Sequence, residues 1–195
     1  MVDLSIVLLA GGEATRLRGK LFLDVGGIAM VARVHRNLSG RYPTYLACDA
    51  LGAPDLRRIL DAPIIVDRWM RRGPLSGILS AMDEIATHWV FVAPGDAPFL
   101  DASFVDRLAA YTVEEVEAIV PRRAVGGRSM IEPLVAIYSR SAFLREGLPL
   151  FAAGVGSPRP VIERLRTRYV DVHDELPFIN VNTPQEYERI CAMLP

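Results

Sequence analysis

The chain has 195 residues, of which 51% are hydrophobic and 23% are charged, and its formal net charge is −1. A chain of this size and composition can bury one substantial core, so we expect a single domain over residues 1–195. The near-neutral charge argues against partners bound by bulk electrostatic attraction, which excludes nucleic acid and a membrane surface from the expected partners.

The two cysteines and the N-terminal segment indicate the compartment. Cys48 and Cys191 lie far apart and without the spacing of metal ligands. The N-terminus lacks the basic start and the cleavage site of a signal peptide, and no apolar stretch reaches the roughly 18 residues of a membrane span. We therefore expect a soluble protein in the reducing cytoplasm.

Short β-branched runs alternate with amphipathic stretches along the chain. The runs predict buried strands at residues 4–9, 44–47, 63–66, 89–93, 117–120 and 134–138. Helical spacing predicts helices at residues 29–38, 55–60, 75–86, 103–111, 141–151, 160–166 and 184–193. Strands that alternate with helices form a mostly parallel sheet covered on both faces. The predicted fold is a Rossmann-like three-layer α/β sandwich.

Ligands of such sheets bind outside the carboxyl ends of the strands. Three of the predicted strands end in residues suited to that position, namely residues 10–12, Asp67, and Gly95 with Asp96. This edge of the sheet is therefore the expected binding site.

The loop after the first predicted strand contains the chain's only lysine. Gly11 and Gly12 allow backbone N–H groups to approach phosphate oxygens, and Arg16 and Lys20 supply positive charge, which suits a nucleoside triphosphate. The loop matches neither a Walker A motif nor the Gly-x-Gly-x-x-Gly fingerprint. The alternative is an ordinary glycine-rich turn with solvated arginines.

Four segments in this order resemble the molybdenum cofactor guanylyltransferase family, MobA, over nearly the whole chain. They are residues 9–12 with Arg16, Leu17 and Lys20; Asp67 with residues 73–78; residues 94–100; and residues 179–184. The resemblance implies the fold of the nucleotide-diphospho-sugar transferases. It also implies transfer of GMP from GTP to the phosphate of molybdopterin or the molybdenum cofactor, with release of pyrophosphate and with Mg²⁺ as cofactor.

The resemblance also assigns roles to particular residues. Arg16, Lys20 and Asp96 are the expected catalytic residues, and Asp96 is the expected Mg²⁺ ligand. The alternative role for Asp96 is that of a helix N-cap or turn residue. The expected nucleotide-binding residues are Leu9, Ala10, Gly11, Gly12, Lys20, Cys48, Asp67, Gly73 and Asp96. The expected acceptor-binding residues are Gly77, Asn180 and Asn182, and capping of the last helix is the alternative for Asn182.

Two departures from the family pattern leave the substrate open. Cys48 stands where relatives have a polar residue, and the loop before Lys20 is about two residues short, with Gly19 next to the lysine. The alternatives are a cytidylyltransferase, a guanylyltransferase for another phosphorylated cofactor, and a nucleotide-binding module without turnover. The resemblance also leaves room for transient contact with other cofactor-biosynthesis proteins.

Overall fold

A computed structural model describes residues 2–11, 19–69 and 72–194 of the chain. The strands of this described part are β1 (Leu4–Leu9), β2 (Thr44–Cys48), β3 (Ile64–Val66), β4 (Trp89–Pro94), β5 (Ala118–Val125), β6 (Arg128–Ile131), β7 (Ala136–Ser139) and β8 (Thr167–Asp171). Its α-helices are α1 (Met30–Ser39), α2 (Ala53–Ile59), α3 (Pro74–Glu84), α4 (Ala102–Ala109), α5 (Arg140–Ala152), α6 (Arg159–Ile162) and α7 (Pro184–Met193).

The strands form one mixed sheet in the order β3-β2-β1-β4-β7-β5-β6, with β8 paired to β5. β1, β2, β3 and β4 run parallel to their neighbours in this set, and β7 runs antiparallel to both β4 and β5. The predicted α/β fold with a mostly parallel sheet is therefore confirmed.

Helices cover both faces of the sheet because the strand residues alternate between two apolar clusters. Leu8 of β1 packs in a cluster with α1, α2 and α4, whereas Val7 packs in a cluster with α3, α5 and α6. A third, smaller cluster joins α7 to the segment that precedes α1, through Val25, Met30 and Ile190. The last helix thereby fixes the chain that follows Lys20.

The predicted strands and helices occur with shifts of a few residues at their ends, except for three differences in the second half. The helix predicted at residues 160–166 ends at Ile162, and β6 and β8 are strands that the sequence analysis does not predict. β8 pairs with β5 although its residues are mostly exposed, and β6 is exposed over three of its four positions. Backbone pairing, and not a buried apolar run, defines these two strands.

The helices were compared with the length and hydropathy that a membrane-spanning helix needs. Across residues 2–11, 19–69 and 72–194, none of them is long and apolar enough to span a bilayer.

Candidate active site

The carboxyl ends of β1 to β4 meet at one edge of the sheet. The Asp67 amide donates to the Cys48 carbonyl at 2.8 Å, which joins the ends of β3 and β2. The Gly95 amide donates to the Leu9 carbonyl at 3.0 Å, which joins the ends of β4 and β1. Asp96 follows directly. The three predicted ligand-facing positions therefore lie along one edge, as expected for a parallel sheet.

Lys20 is the point at which two predicted groups of residues meet. Its Nζ forms an ion pair with Asp96 Oδ2 and donates a hydrogen bond to Asn182 Oδ1 at 3.0 Å. The side chains of Lys20 and Asp96 are 20% and 10% exposed, so water screens this pair only in part. One cation, one carboxylate and one amide are thus in contact at the carboxyl edge of the sheet.

The backbone around Lys20 fixes its direction. Gly19 has a φ of 66° and a ψ of 18°, a left-handed conformation that favours glycine, and it precedes a 3-10 helix over Lys20–Phe22. Leu21 in that helix packs tightly on the turn after β4, since its Cδ2 lies 3.3 Å from where a Cβ on Gly95 would stand. Gly19 thus lets the chain turn so that Lys20 reaches Asp96.

The backbone of Asp96 is held by a hydrogen bond, while its side chain contacts Lys20. Its carbonyl accepts a hydrogen bond from the Val181 amide at 3.2 Å, which ties the turn after β4 to the segment before α7. The N-cap of α4 is Asp101, whose Oδ1 accepts from the Phe104 amide at 2.9 Å. Asp96 therefore lies in the turn after β4 and does not cap α4, so only the helix cap is excluded among its two alternative roles.

Asn182 also leaves helix capping to its neighbour. Thr183 is the N-cap of α7 and forms a capping box with Glu186. The Asn182 side chain is therefore available to Lys20 and lines a cavity of about 300 Å³. Asn180 lines the same cavity, and its Oδ1 is buried without a hydrogen-bond partner among the described residues.

Asp67 lies in a separate polar cluster with two serines of α3. Its Oδ1 accepts from the Trp69 amide at 2.9 Å and from the Ser80 hydroxyl at 3.1 Å. The Ser76 hydroxyl lies within hydrogen-bonding distance of the same Oδ1 and of the Trp69 carbonyl. Ser76 and Ser80 are each 0% exposed. The carboxylate is therefore anchored through one oxygen.

Gly77 lies beside this cluster. A Cβ at position 77 would lie 3.6 Å from Leu9 Cδ2 and 4.0 Å from Asp67 Oδ2. Leu9 and Asp67, which are both predicted to bind the nucleotide, thus flank Gly77.

Gly73 makes a close contact with another backbone segment. Its φ is 78°, and a Cβ at this position would lie 2.5 Å from the Gly156 carbonyl oxygen. Gly156 also accepts a hydrogen bond from the Leu75 amide at 3.1 Å. The space that the sequence analysis assigns to a ligand at this glycine is filled, on the Cβ side, by the loop after α5.

Cys48 presents its backbone, and not its thiol, to the edge of the sheet. The residue is 2% exposed and packs in the same cluster as Leu8. Burial, followed by the nearby Asp49 carboxylate, raises the pKa of the thiol to about 11.

Gly11 packs against the end of β2, because a Cβ on Gly11 would lie 3.3 Å from the Asp49 amide nitrogen. Ala10 is also buried and donates through its amide to the Ala47 carbonyl at 2.8 Å.

Two predicted site residues, Gly12 and Arg16, lie outside the described residues. Within the described ranges no group of three or more His, Cys, Asp or Glu side chains could hold a metal ion.

The sequence analysis missed the serines that anchor Asp67. Ser76 and Ser80 are four residues apart and so lie on one face of α3, a face that is otherwise apolar. A buried hydroxyl on an apolar helix face needs a hydrogen-bond partner. That spacing was the available signal, although it could not indicate Asp67 as the partner.

Comparison with known proteins agrees with this arrangement. The sequence model of the MobA-like NTP transferase domain matches residues 6–172. The chain belongs to the MobA-like NTP transferase family. Members of this family are nucleotidyltransferases, which accords with a lysine and a carboxylate at the carboxyl edge of the sheet.

Individual relatives and a solved structure extend over nearly the whole chain. A probable molybdenum cofactor guanylyltransferase of Geobacillus sp. (strain WCH70) is 30% identical, over 95% of this chain and 97% of its own. A molybdenum cofactor guanylyltransferase of Rhodopseudomonas palustris (strain BisB5) is 33% identical, over 95% and 92%. The crystal structure of molybdopterin-guanine dinucleotide biosynthesis protein A from Archaeoglobus fulgidus shares the fold, with a TM-score of 0.82, 24% identity and 97% coverage of both chains.

Proposed function

We propose that this protein transfers GMP from GTP to the terminal phosphate of molybdopterin or the molybdenum cofactor and releases pyrophosphate. The observation that supports this best is the contact of Lys20 with both Asp96 and Asn182. It joins a residue expected on the triphosphate, a residue expected on the metal and a residue expected on the acceptor. The names of the relatives supply the substrates of the proposal.

The proposed chemistry requires positioning and neutralisation of charge rather than a protein nucleophile. An oxygen of the acceptor phosphate attacks the α-phosphorus of GTP, a new P–O bond forms, and the bond to pyrophosphate breaks. The Lys20 ammonium is a compact charge that suits the oxygens around the reacting phosphorus, and Arg16 would add a planar fork of donors on the leaving group. Asn182 and Asn180 would hold the acceptor.

The donor set fits Mg²⁺. Mg²⁺ is commonly held by one or two carboxylates together with substrate phosphates and water, rather than by a cage of protein ligands. Asp96 offers one carboxylate, of which Lys20 engages Oδ2. When bound, Mg²⁺ supplies neutralisation of the charge on the phosphate oxygens.

The nucleotide side of the proposal comprises Leu9, Ala10, Gly11, Gly12, Cys48, Asp67 and Gly73, with Cys48 acting through its backbone. We further propose a single domain and a cytoplasmic location. Cys48 and Cys191 are both free thiols, which suits a reducing compartment.

Pyrophosphate release and formation of the dinucleotide product test the function. The purified protein is incubated with Mg²⁺, molybdopterin and each of the four ribonucleoside triphosphates in turn. We expect release with GTP. Pyrophosphate release with CTP alone would contradict the guanylyl assignment. Binding of GTP without any Mg²⁺-dependent release of pyrophosphate would indicate a nucleotide-binding module without turnover.

Lys20→Ala tests the mechanism in the same assay. We expect a loss of more than about 100-fold, as for other groups that stabilise charge in a transition state. Arg58→Ala is the matched control, because Arg58 is an exposed cation on α2. Equal rates in the two variants would remove Lys20 from the mechanism.

A further inference from the structure

Several hydrogen-bond donors surround the Asp67 carboxylate. The Trp69 amide and the Ser80 hydroxyl both donate to Oδ1 of this carboxylate, and the Ser76 hydroxyl, which has one hydrogen, lies within hydrogen-bonding distance of the same Oδ1 and of the Trp69 carbonyl. Ser80 also accepts from the Arg68 amide at 3.1 Å, so its hydroxyl has both a donor and an acceptor in place. Ser80 is therefore fully satisfied and fixed in orientation.

The other oxygen of Asp67 faces a different environment. The described hydrogen bonds of the Asp67 side chain all go to Oδ1, and none goes to Oδ2. Oδ2 lies 4.0 Å and Leu9 Cδ2 lies 3.6 Å from where a Cβ on Gly77 would stand, so both approach this position of α3. A carboxylate oxygen offers about two lone pairs, so the Trp69 amide, the Ser80 hydroxyl and the adjacent Ser76 hydroxyl leave Oδ1 little capacity for a ligand.

We infer that Ser76 and Ser80 are positioning residues that hold Asp67 through Oδ1 and so present Oδ2 alone, as the acceptor for one donor of the bound nucleotide. This inference rests on the nucleotide-binding part of the proposed function. It adds two residues to the site and limits Asp67 to a contact through one oxygen. The donor is a ribose hydroxyl, the N1–H or the 2-amino group of the base, since all of these are hydrogen-bond donors of a guanine nucleotide.

Substitution of the serines by alanine tests whether they position Asp67, because these variants should still fold. Ser80→Ala and Ser76→Ala remove only a hydroxyl from a buried helix position, and alanine favours the helix. Ser5→Ala is the matched control, because Ser5 is 1% exposed and its hydroxyl has no described hydrogen-bond partner. We expect Ser80→Ala to weaken GTP binding by roughly two- to tenfold, the equivalent of one hydrogen bond, and Ser5→Ala to leave it unchanged.

A double-mutant cycle measures the GTP affinity of Ser80→Ala with and without Asp67→Ala. It distinguishes a serine that positions Asp67 from a serine that only stabilises the fold. If Ser80 acts through Asp67, adding Ser80→Ala to Asp67→Ala weakens GTP binding no further. A loss that persists in the Asp67→Ala background overturns the inference. So does a Ser80→Ala variant that binds GTP as tightly as Ser5→Ala does.

Nucleotide analogues identify the donor. Inosine triphosphate lacks the 2-amino group, 1-methyl-GTP lacks the N1–H, and the 2′-deoxy and 3′-deoxy forms of GTP each lack one hydroxyl. We expect one of the four to bind the parent protein more weakly than GTP and to lose that penalty in Asp67→Ala. An Asp67-dependent penalty with two analogues, or with none, overturns the contact through Oδ2 alone.

The outcome also distinguishes this inference from the proposed function. A parent protein that binds GTP with the expected serine dependence but releases no pyrophosphate refutes the proposed transfer and supports the positioning role. A parent protein that binds no nucleoside triphosphate refutes both.

Discussion

Lys20 Nζ donates a hydrogen bond to Asn182 Oδ1 at 3.0 Å, although the two residues are 162 positions apart in the chain. The contact closes the carboxyl edge of the sheet, because Asn182 precedes α7 and Lys20 follows the loop after β1. α7 in turn packs on the segment after Lys20, where the Tyr187 hydroxyl donates to the Asp24 carbonyl at 2.6 Å. The C-terminal helix therefore positions the only lysine of the protein.

Asn182→Ala should lower the transfer rate without unfolding the protein. The substitution removes the amide acceptor from a charged donor, an interaction equivalent to roughly 10- to 100-fold in rate if it is made in the transition state. Thr183 keeps the cap of α7, so thermal unfolding should change little. Gln185→Ala, an exposed position on the same helix, is the control. Equal transfer rates in both variants would exclude a role for the contact.

Asp96→Asn should change the dependence on Mg²⁺ before it changes the fold. The amide keeps the shape of the side chain and an oxygen for Lys20, but it removes the charge that a hard divalent cation prefers. Initial rates measured over a range of Mg²⁺ concentrations should give a higher half-saturating concentration. Asp101→Asn serves as the control, because asparagine is also a good N-cap for α4. A Mg²⁺ response equal to that of the parent would remove Asp96 as the metal ligand.

The buried part of the fold could be predicted because apolar alternation reports burial directly. β1 is the simplest case, since five of its six residues are buried and its predicted range matches the strand. β6 and β8 lack such a signal, because hydrogen bonds to β5 define them while their side chains face water. Strand pairing of this kind depends on distant residues and leaves little trace in local sequence.

In the candidate site, too, some features could be predicted from the local sequence and others depend on distant residues. The positions of Asp67 and Asp96 followed from where apolar runs end, and both residues lie at the expected edge of the sheet. The contact between Lys20 and Asn182, and the contacts of the α3 serines with Asp67 Oδ1, depend on packing of remote segments. The buried thiol of Cys48 was within reach of sequence reasoning, because strand alternation places it on the face of Leu46.

Gly73→Ala should destabilise the protein. A φ of 78° is strained for alanine, and the new Cβ would lie 2.5 Å from the Gly156 carbonyl oxygen, so a backbone segment would have to move. We expect a loss of about 2 kcal/mol or more in the free energy of unfolding. Chemical denaturation measures this loss, and an unchanged midpoint would show that the two loops do not need their close contact.

Gly77→Ala should weaken GTP binding without destabilising the protein. Position 77 lies inside α3, where alanine stabilises by about 0.5–1 kcal/mol relative to glycine, and the new Cβ would make only ordinary contacts with Leu9 and Asp67. The methyl group would nevertheless fill space beside Asp67 Oδ2. Equilibrium titration with GTP should therefore show weaker binding by a protein of equal or higher stability. Lower stability with unchanged affinity would contradict this assignment of the space.

Glu117 should give the stability of the protein a dependence on acid pH. The Arg166 amide, which donates to Oε2 at 3.0 Å, is the main cause that lowers the pKa of the Glu117 carboxyl, and Arg145 lowers it further against the opposing effect of burial. A carboxyl with a lower pKa in the folded state stabilises the fold above its unfolded-state pKa of about 4.3. That contribution is lost as the pH falls through the lower, folded-state pKa.

Glu117→Gln should therefore reduce the loss of stability on acidification. The temperature of unfolding is measured for the parent and the variant from about pH 6 down to about pH 3, on both sides of the ordinary glutamate pKa. We expect the parent to be more stable near pH 6 and the difference to shrink toward pH 3, because protonation then removes the charge in both the folded and the unfolded parent. Glu114→Gln, at an exposed position nearby, should keep the pH profile of the parent. Parallel profiles for the parent and Glu117→Gln would show that Arg166 and Arg145 do not stabilise the charged carboxylate.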